Sequence, residues 1–250
     1  MYLSTVTSRV VIADYVKVKV DRMPKGFVFT CDTVQGEVRS KEAVIKALTR
    51  LVEKGVIKKL AKGRYYKPEL TPFGNLLPAQ AQVVKDLMEY NGKLTGYLTG
   101  FSIFNELGLS TQVSDVIQVG RNDIRPAIKR DRYRISFIHQ KNPITTRTIP
   151  LLQVLDAIRY IRKIPDTTLE LSCLRLTVII RSLSDEDVWS LVRLSMKYPP
   201  STRALLGAIL EVLNKEGEVA LLRKSLNAIT RYKLPGAEKA LVTAPNWNLG

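Results

Sequence analysis

A serine, a run of fourteen residues with helical periodicity and a closing glycine constrain this chain more than any other feature. Ser40 is a favourable N-cap for residues 41–54, and Gly55 supplies the C-terminal stop. Between them Ala43, Val44, Ala47, Leu48, Leu51 and Val52 recur at spacings of three and four, which gathers them into one core-facing stripe. Lys41, Glu42, Lys46, Thr49 and Arg50 fall on the opposite face. Lys46 and Arg50 are like charges one turn apart, mildly unfavourable unless an anion lies across them.

The segments around this helix narrow its meaning. Upstream, Val6, Val10, Ile12, Ala13 and Val16 predict an amphipathic helix over residues 5–18, which Met23-Pro24-Lys25-Gly26 ends. Residues 26–29 read as a short apolar strand, and Thr30 or Asp32 caps a brief helix that Gly36 closes. Downstream, residues 56–60 and 64–67 flank the turn Ala61-Lys62-Gly63, a basic two-stranded hairpin closed by Pro68. Helix, short helix, turn, longer helix and hairpin make a winged helix-turn-helix. In such a unit Ser40, Lys41, Lys46 and Thr49 face base edges or phosphates, Arg50 meets the backbone, and Lys58, Lys59, Lys62 and Arg64 grip phosphates or the adjacent minor groove.

Charge supports this reading. The 250 residues carry 39 Lys and Arg against 23 Asp and Glu, a formal charge of +16. Residues 1–75 hold 15 cations and 7 acids (net +8), residues 76–165 hold 13 and 7 (net +6), and residues 166–250 hold 11 and 9 (net +2). An excess of this size favours a polyanionic partner, and it lies in the first two segments. Double-stranded DNA is the expected partner. The alternative is a protein-interaction module, or a general regulator, whose basic surfaces dock an acidic protein.

Three domains are expected: 1–75, 76–165 and 166–250. In the second, residues 79–89 and 97–107 read as helices, residues 112–120 and 133–138 as strands, and residues 151–164 as a helix. The loop between the strands carries Arg121, Arg125, Lys129, Arg130 and Arg132 against Asp123 and Asp131, a candidate second basic patch. The third segment is leucine-rich and reads as a small helical bundle over residues 172–182, 185–196, 201–215 and 218–232, with a loose tail from Pro235. The fold class is therefore α+β and helix-rich.

Several function classes are disfavoured. His139 is the only histidine, which removes His-based catalytic pairs and two-His metal sites from a single chain. Asp156 has no second carboxylate at a fixed spacing, and Asp185-Glu186-Asp187 is explained by helix capping. Neither a G-x-x-x-x-G-K-[ST] loop nor a G-x-G-x-x-G fingerprint occurs. No enzymatic activity, cofactor or metal is expected. Cys31 and Cys173 are too few for a disulfide framework, no apolar run is long enough to span a membrane, and the N-terminus lacks a secretion-signal profile, so a reducing cytoplasm is expected.

Three stretches also carry a family resemblance. They are Pro24-Lys25-Gly26-Phe27-Val28-Phe29 with residues 43–51 and Lys62-Gly63-Arg64-Tyr65-Tyr66-Lys67-Pro68; Tyr97-Leu98-Thr99-Gly100-Phe101-Ser102 running into residues 107–113; and Leu152-Gln153-Val154-Leu155-Asp156-Ala157. Together they resemble the AbiEi-type antitoxins of bacterial type IV toxin–antitoxin systems and their DUF6088-like relatives, over about residues 22–165. The resemblance implies a winged-helix autorepressor of its own abortive-infection (phage-defence) operon, binding its own promoter, with a second domain that counteracts a nucleotidyltransferase toxin. Type IV pairing does not require direct contact with the toxin. Lys41, Lys46, Arg50, Lys62 and Arg64 fall where the family's reading helix and wing lie. A homodimer on paired half-sites is a further expectation, although no heptad seam specifies one.

Overall fold

A computed structural model describes the backbone of residues 2–72 and 74–250 and the side chains of residues 11–72 and 74–250. Met1, and the side chains of Val6 and Val10 in the first expected helix, lie outside the described residues. The chain is mixed α+β and helix-rich, and it divides into two compact units: residues 1–85 with 129–132, and residues 86–128 with 133–250.

In the first unit, α1 (Tyr2–Asp21), α2 (Cys31–Gln35) and α3 (Lys41–Glu53) accompany β1 (Val28–Thr30), β2 (Lys58–Ala61) and β3 (Arg64–Tyr66). The three strands form an antiparallel sheet in the order β1-β3-β2, with Phe29 opposite Tyr65 and Lys59 also opposite Tyr65. Val16 and Val20 of α1, Val34 of α2, Val44, Leu48 and Leu51 of α3, and Phe29 and Tyr65 of the sheet make one buried core. Full burial of each such side chain contributes on the order of 1.5–3 kcal/mol, so this core holds the three helices together. The Lys67 ammonium ties the C-terminal end of α1 to the sheet, donating to the carbonyl oxygens of Asp21 (2.7 Å) and Met23 (3.3 Å). A small exposed hairpin follows, β4 (Glu69–Thr71) and β5 (Gly74–Leu76).

The expected helix at residues 79–89 is two single turns, α4 (Gln80–Val83) and α5 (Lys85–Met88), interrupted at the β-branched Val84. A two-residue hairpin pair, β6 (Glu89–Tyr90) and β7 (Lys93–Leu94), then leads into β8 (Gly96–Thr99). Residues 97–107 are thus not a helix. Thr99 is extended, and Gly100 has φ +56°, a left-handed conformation that ends any regular element and suits glycine. A 3₁₀ turn, Gly100–Ser102, comes next, and the Gln118 side chain accepts from the Phe101 amide at 3.0 Å.

β9 (Val116–Arg121) starts four residues later than expected, because the Ser110 and Ser114 hydroxyls accept from the Gln112 and Val116 amides and hold the approach in turns. β8 pairs antiparallel with β9, and β9 pairs parallel with β11 (Tyr133–His139), Ile135 opposite Ile117. The short strand β10 (Ile128–Arg130) lies in the connection, whose residues 129–132 belong to the first unit.

α6 (Ile149–Arg159), α7 (Leu169–Arg181), α8 (Asp185–Ser195), α9 (Pro200–Val212) and α10 (Glu216–Lys224) complete the second unit, with the short α11 (Ala237–Ala240). One continuous core runs from Tyr97 and Phe104 through Leu152, Leu155 and Ile158 of α6 to Leu176, Leu191, Leu206 and Trp247. No separate cores correspond to residues 76–165 and 166–250, because α6 is apolar almost all round and is covered on several sides. The tail from Pro235 is docked rather than loose. The Tyr232 amide donates to the Asn248 carbonyl at 2.8 Å, the Gly250 amide donates to the Tyr232 carbonyl at 3.1 Å, and the buried Trp247 indole donates to Glu211 Oε2 at 2.5 Å.

Candidate nucleic-acid interface

α3 is positioned by its apolar stripe, and its opposite side is left to solvent. Val44, Ala47, Leu48 and Leu51 are buried, whereas Lys41, Glu42, Ile45, Lys46, Thr49, Arg50 and Glu53 are exposed. Ser40 caps the helix, its hydroxyl accepting from the Ala43 amide at 3.3 Å. Its side chain is therefore committed to the cap. The Thr49 hydroxyl donates back to the Ile45 carbonyl at 3.0 Å.

The cations of α3 differ in what holds them. Lys41 Nζ is 2.7 Å from Asp32 Oδ1 of α2, and this hydrogen-bonded pairing pushes the Lys41 ammonium's pKa up. Lys46 and Arg50 instead border a shallow cleft of about 130 Å³ that they share with Ala13, Ser40, Glu42 and Ala43. They sit one turn apart with their charge to solvent, and Glu42 is the acidic side chain lining the same cleft.

The hairpin after α3 adds its own cations. Lys58 and Lys59 are exposed on β2, an edge strand, where a register irregularity between Lys59 and Ala61 breaks strict alternation. Lys62 is exposed in the turn, where Gly63 takes φ +71°. Arg64 is half-buried on the central strand.

The second group of cations is not one patch. Arg121 is buried, donating to the Leu87 carbonyl and to Thr95 Oγ1 (3.2 Å) and pairing with Asp123 at 2.6 Å. Arg125 takes the other oxygen of Asp123 at 2.5 Å. Hydrogen bonds from Arg121 and then Arg125 hold the Asp123 carboxyl down at about 2. Arg130 is also buried and donates to the Val83 carbonyl at 2.6 Å. Lys129 and Arg132 are exposed. A count of charges in a loop carries no sign of which guanidiniums are spent on backbone carbonyls, and here two of the five are.

Asp156, given no chemistry in the sequence for want of a second carboxylate at a fixed spacing, is fully buried in the second unit. Its Oδ2 accepts from Tyr97 (2.7 Å) and Thr99 (2.6 Å), its Oδ1 from Tyr198 (2.9 Å), and Gln140 Nε2 donates to both tyrosine hydroxyls. Burial pushes the Asp156 pKa up, and the three hydroxyl donors oppose that rise. The alternation of Tyr97 and Thr99 along a strand was the available signal, hidden by the helical reading of that segment. Both cysteines are free and buried, and burial pushes the Cys173 thiol up to about 12, so it is an inert core thiol. His139 ends β11 and is exposed. Among the described residues no group of three or more His, Cys, Asp or Glu is placed to hold a metal, and no helix is long and apolar enough to cross a membrane.

The model of the family described as "Family of unknown function (DUF6088)" matches residues 15–163, more than half of the chain. The chain belongs to the DUF6088 family. The matched stretch of this DUF6088 protein takes in α2, α3, the basic hairpin and Tyr97, Thr99, Gln140 and Asp156 of the Asp156 network, but not Tyr198. No curated protein matches the chain. Among solved structures, the crystal structure of the RV2827C protein from Mycobacterium tuberculosis is similar, with a TM-score of 0.60 over 96% of this chain and 90% of that one at 15% identity. At that identity the likeness is one of fold.

Proposed function

We propose that this DUF6088 protein is a DNA-binding antitoxin and transcriptional autorepressor, with its first unit acting as a winged helix-turn-helix. The observation that carries the reading is the pairing of Lys46 and Arg50 on the outward side of α3 with Lys58, Lys59 and Lys62 on the hairpin that follows. α3 enters the major groove, where Lys46 and Thr49 reach base edges or phosphates and Arg50 meets the backbone. The hairpin lysines neutralise flanking phosphates. Each phosphate neutralised releases condensed counterions, so affinity falls steeply as salt rises.

The antitoxin role rests on the sequence resemblance to AbiEi-type antitoxins, and it assigns neutralisation of a nucleotidyltransferase toxin to the second unit. Fluorescence anisotropy with the duplex upstream of the protein's own gene tests DNA binding. Tight, salt-dependent binding supports the reading, and no shift at low salt overturns it. Co-expression with the neighbouring toxin gene tests the antitoxin role separately: growth rescue supports it, and unrelieved toxicity overturns that part alone.

A further inference from the structure

Two clefts on the second unit adjoin at the C-terminal end of α6. The first, of about 390 Å³, has a buried apolar lining that includes Ile161, Leu205, Leu234 and Leu249, and exposed Arg162, Lys163 and Lys233 border it. The second, of about 400 Å³, is lined by exposed Lys141 and Lys197 and by buried Gln140 and Tyr198. Arg159 and Tyr160 line both, so the two clefts are neighbours in one grooved, cation-rimmed region.

No Asp or Glu lines either cleft. Three cations elsewhere on this unit pair with acids, in Arg147–Glu186, Lys215–Asp185 and Arg223–Glu211. Around the groove the acid in electrostatic reach of Arg159 is the buried Asp156, which lines neither cleft. The Arg159 guanidinium lies 5.1 Å from the Tyr160 ring centroid, Lys163 Nζ lies 5.3 Å from it, and Lys197 Nζ donates to the Lys141 carbonyl at 3.1 Å. Four of these cations, Lys141, Arg159, Arg162 and Lys163, come from the basic segment 76–165, and Lys197 and Lys233 from the nearly balanced segment 166–250. Cations gathered in excess over nearby acids repel one another and attract an anion.

The anion's chemistry follows from the rest of the lining. A cleft of this volume with an apolar interior accepts a planar base and sugar, and Tyr160 stacked by Arg159 offers the aromatic and guanidinium surfaces on which bases stack. The Tyr198 wall of the second cleft is held rigidly, because its hydroxyl is fixed between Asp156 and Gln140. We propose that this groove binds a nucleotide unit, with the base in the apolar-lined cleft and the phosphate held by the surrounding lysines and arginines. The nucleotide comes either from a single nucleic-acid strand or from the free nucleotide pool. The groove belongs to the second unit and shares no residue with the α3 face.

The test uses the full chain carrying Lys46→Glu and Arg50→Glu, which silences the α3 face, with a short fluorescein-labelled oligoadenylate as probe. The expected result is retained binding that weakens on the order of ten-fold or more when Lys141→Glu, Arg162→Glu and Lys233→Glu are added. All three side chains are exposed, so circular dichroism is expected to be unchanged. Displacement by ATP at similar concentration identifies the free nucleotide as the source, and failure of ATP to displace identifies the strand. Unchanged binding in the triple variant, no binding before it is introduced, or equal displacement by polyglutamate overturns the proposal, the last in favour of an acidic protein partner. Loss of duplex binding by the Lys46/Arg50 variant bears on α3 alone.

Discussion

The Lys41 ammonium is held 2.7 Å from the Asp32 carboxylate, and this pair takes one cation of α3 out of the charge its exposed side offers to a partner. Lys41 and Lys46 look equivalent in a helical pattern, but they are not equivalent in the fold. Lys41→Ala is expected to weaken DNA binding by no more than about two- to three-fold, the scale of an exposed ion pair. Asp32→Ala, which frees Lys41, is expected to leave binding unchanged or tighter. Anisotropy titrations of both variants check this. A loss from Lys41→Ala as large as that from Lys46→Ala would show that the pair opens on DNA.

The Asp156 carboxyl is the polar centre of the second unit. Asp156→Ala strands the hydroxyls of Tyr97, Thr99 and Tyr198 in a buried site, each at a cost of about 1–3 kcal/mol. A total loss of about 3 kcal/mol or more is expected by urea denaturation. Asp156→Asn keeps an acceptor and is expected to cost less. Because burial raises the Asp156 pKa, its folded form holds the proton more tightly than the unfolded chain does, so this group favours the fold most at low pH and loses that contribution as pH rises through its folded pKa. A wild-type minus Asn difference with the opposite slope would contradict this.

Much of the first unit was legible because its signals are local. Ser40, the apolar stripe of α3, Gly55 and the Gly63 turn each act within a few residues, and α3 and the hairpin fall within two residues of their expected bounds. The second unit was less legible because its determinants act at a distance. Tyr97 and Thr99 are extended so that their hydroxyls meet Asp156, almost sixty positions later, and no local period reports that. The cations of the 121–132 loop failed as a patch for the same reason, since the Arg121 and Arg130 guanidiniums go to the carbonyls of Leu87 and Val83. The tail was read as loose from its composition, whereas Trp247 is anchored by Glu211.

Asp123 gives a pH signature of opposite sign to Asp156. Its carboxyl is held at about 2, below the usual carboxylate value, so its stabilising contribution is complete above that usual value and is lost as pH falls through about 2. Asp123 is partly exposed and screened, so the effect is expected to be about 1 kcal/mol or less. Thermal melts of wild type and Asp123→Asn are expected to differ at neutral pH and to converge towards pH 2. A constant difference across that range would contradict the assignment.

The docking of the tail is tested at Gly207 of α9, whose Cα faces the ring of Trp247 in the tail. Alanine is ordinarily favoured over glycine within a helix by about 1 kcal/mol. Here an added Cβ meets the indole, and overpacking is expected to reverse the sign to a loss of about 1–3 kcal/mol. Gly207→Ala paired with Trp247→Leu is expected to recover part of that loss. A stabilised Gly207→Ala single variant, by chemical denaturation, would show that Trp247 does not occupy this position.

The most direct measurement is the salt dependence of duplex binding for Lys46→Ala/Arg50→Ala beside wild type, by anisotropy on the upstream duplex. Both side chains are exposed, and the substitutions are expected to leave the fold and melting temperature essentially unchanged. Affinity is expected to fall on the order of ten-fold or more, with the slope of log K against log salt reduced by about two as two phosphate contacts are lost. Equal affinity and equal slope in the two proteins would contradict α3 as the DNA-reading element.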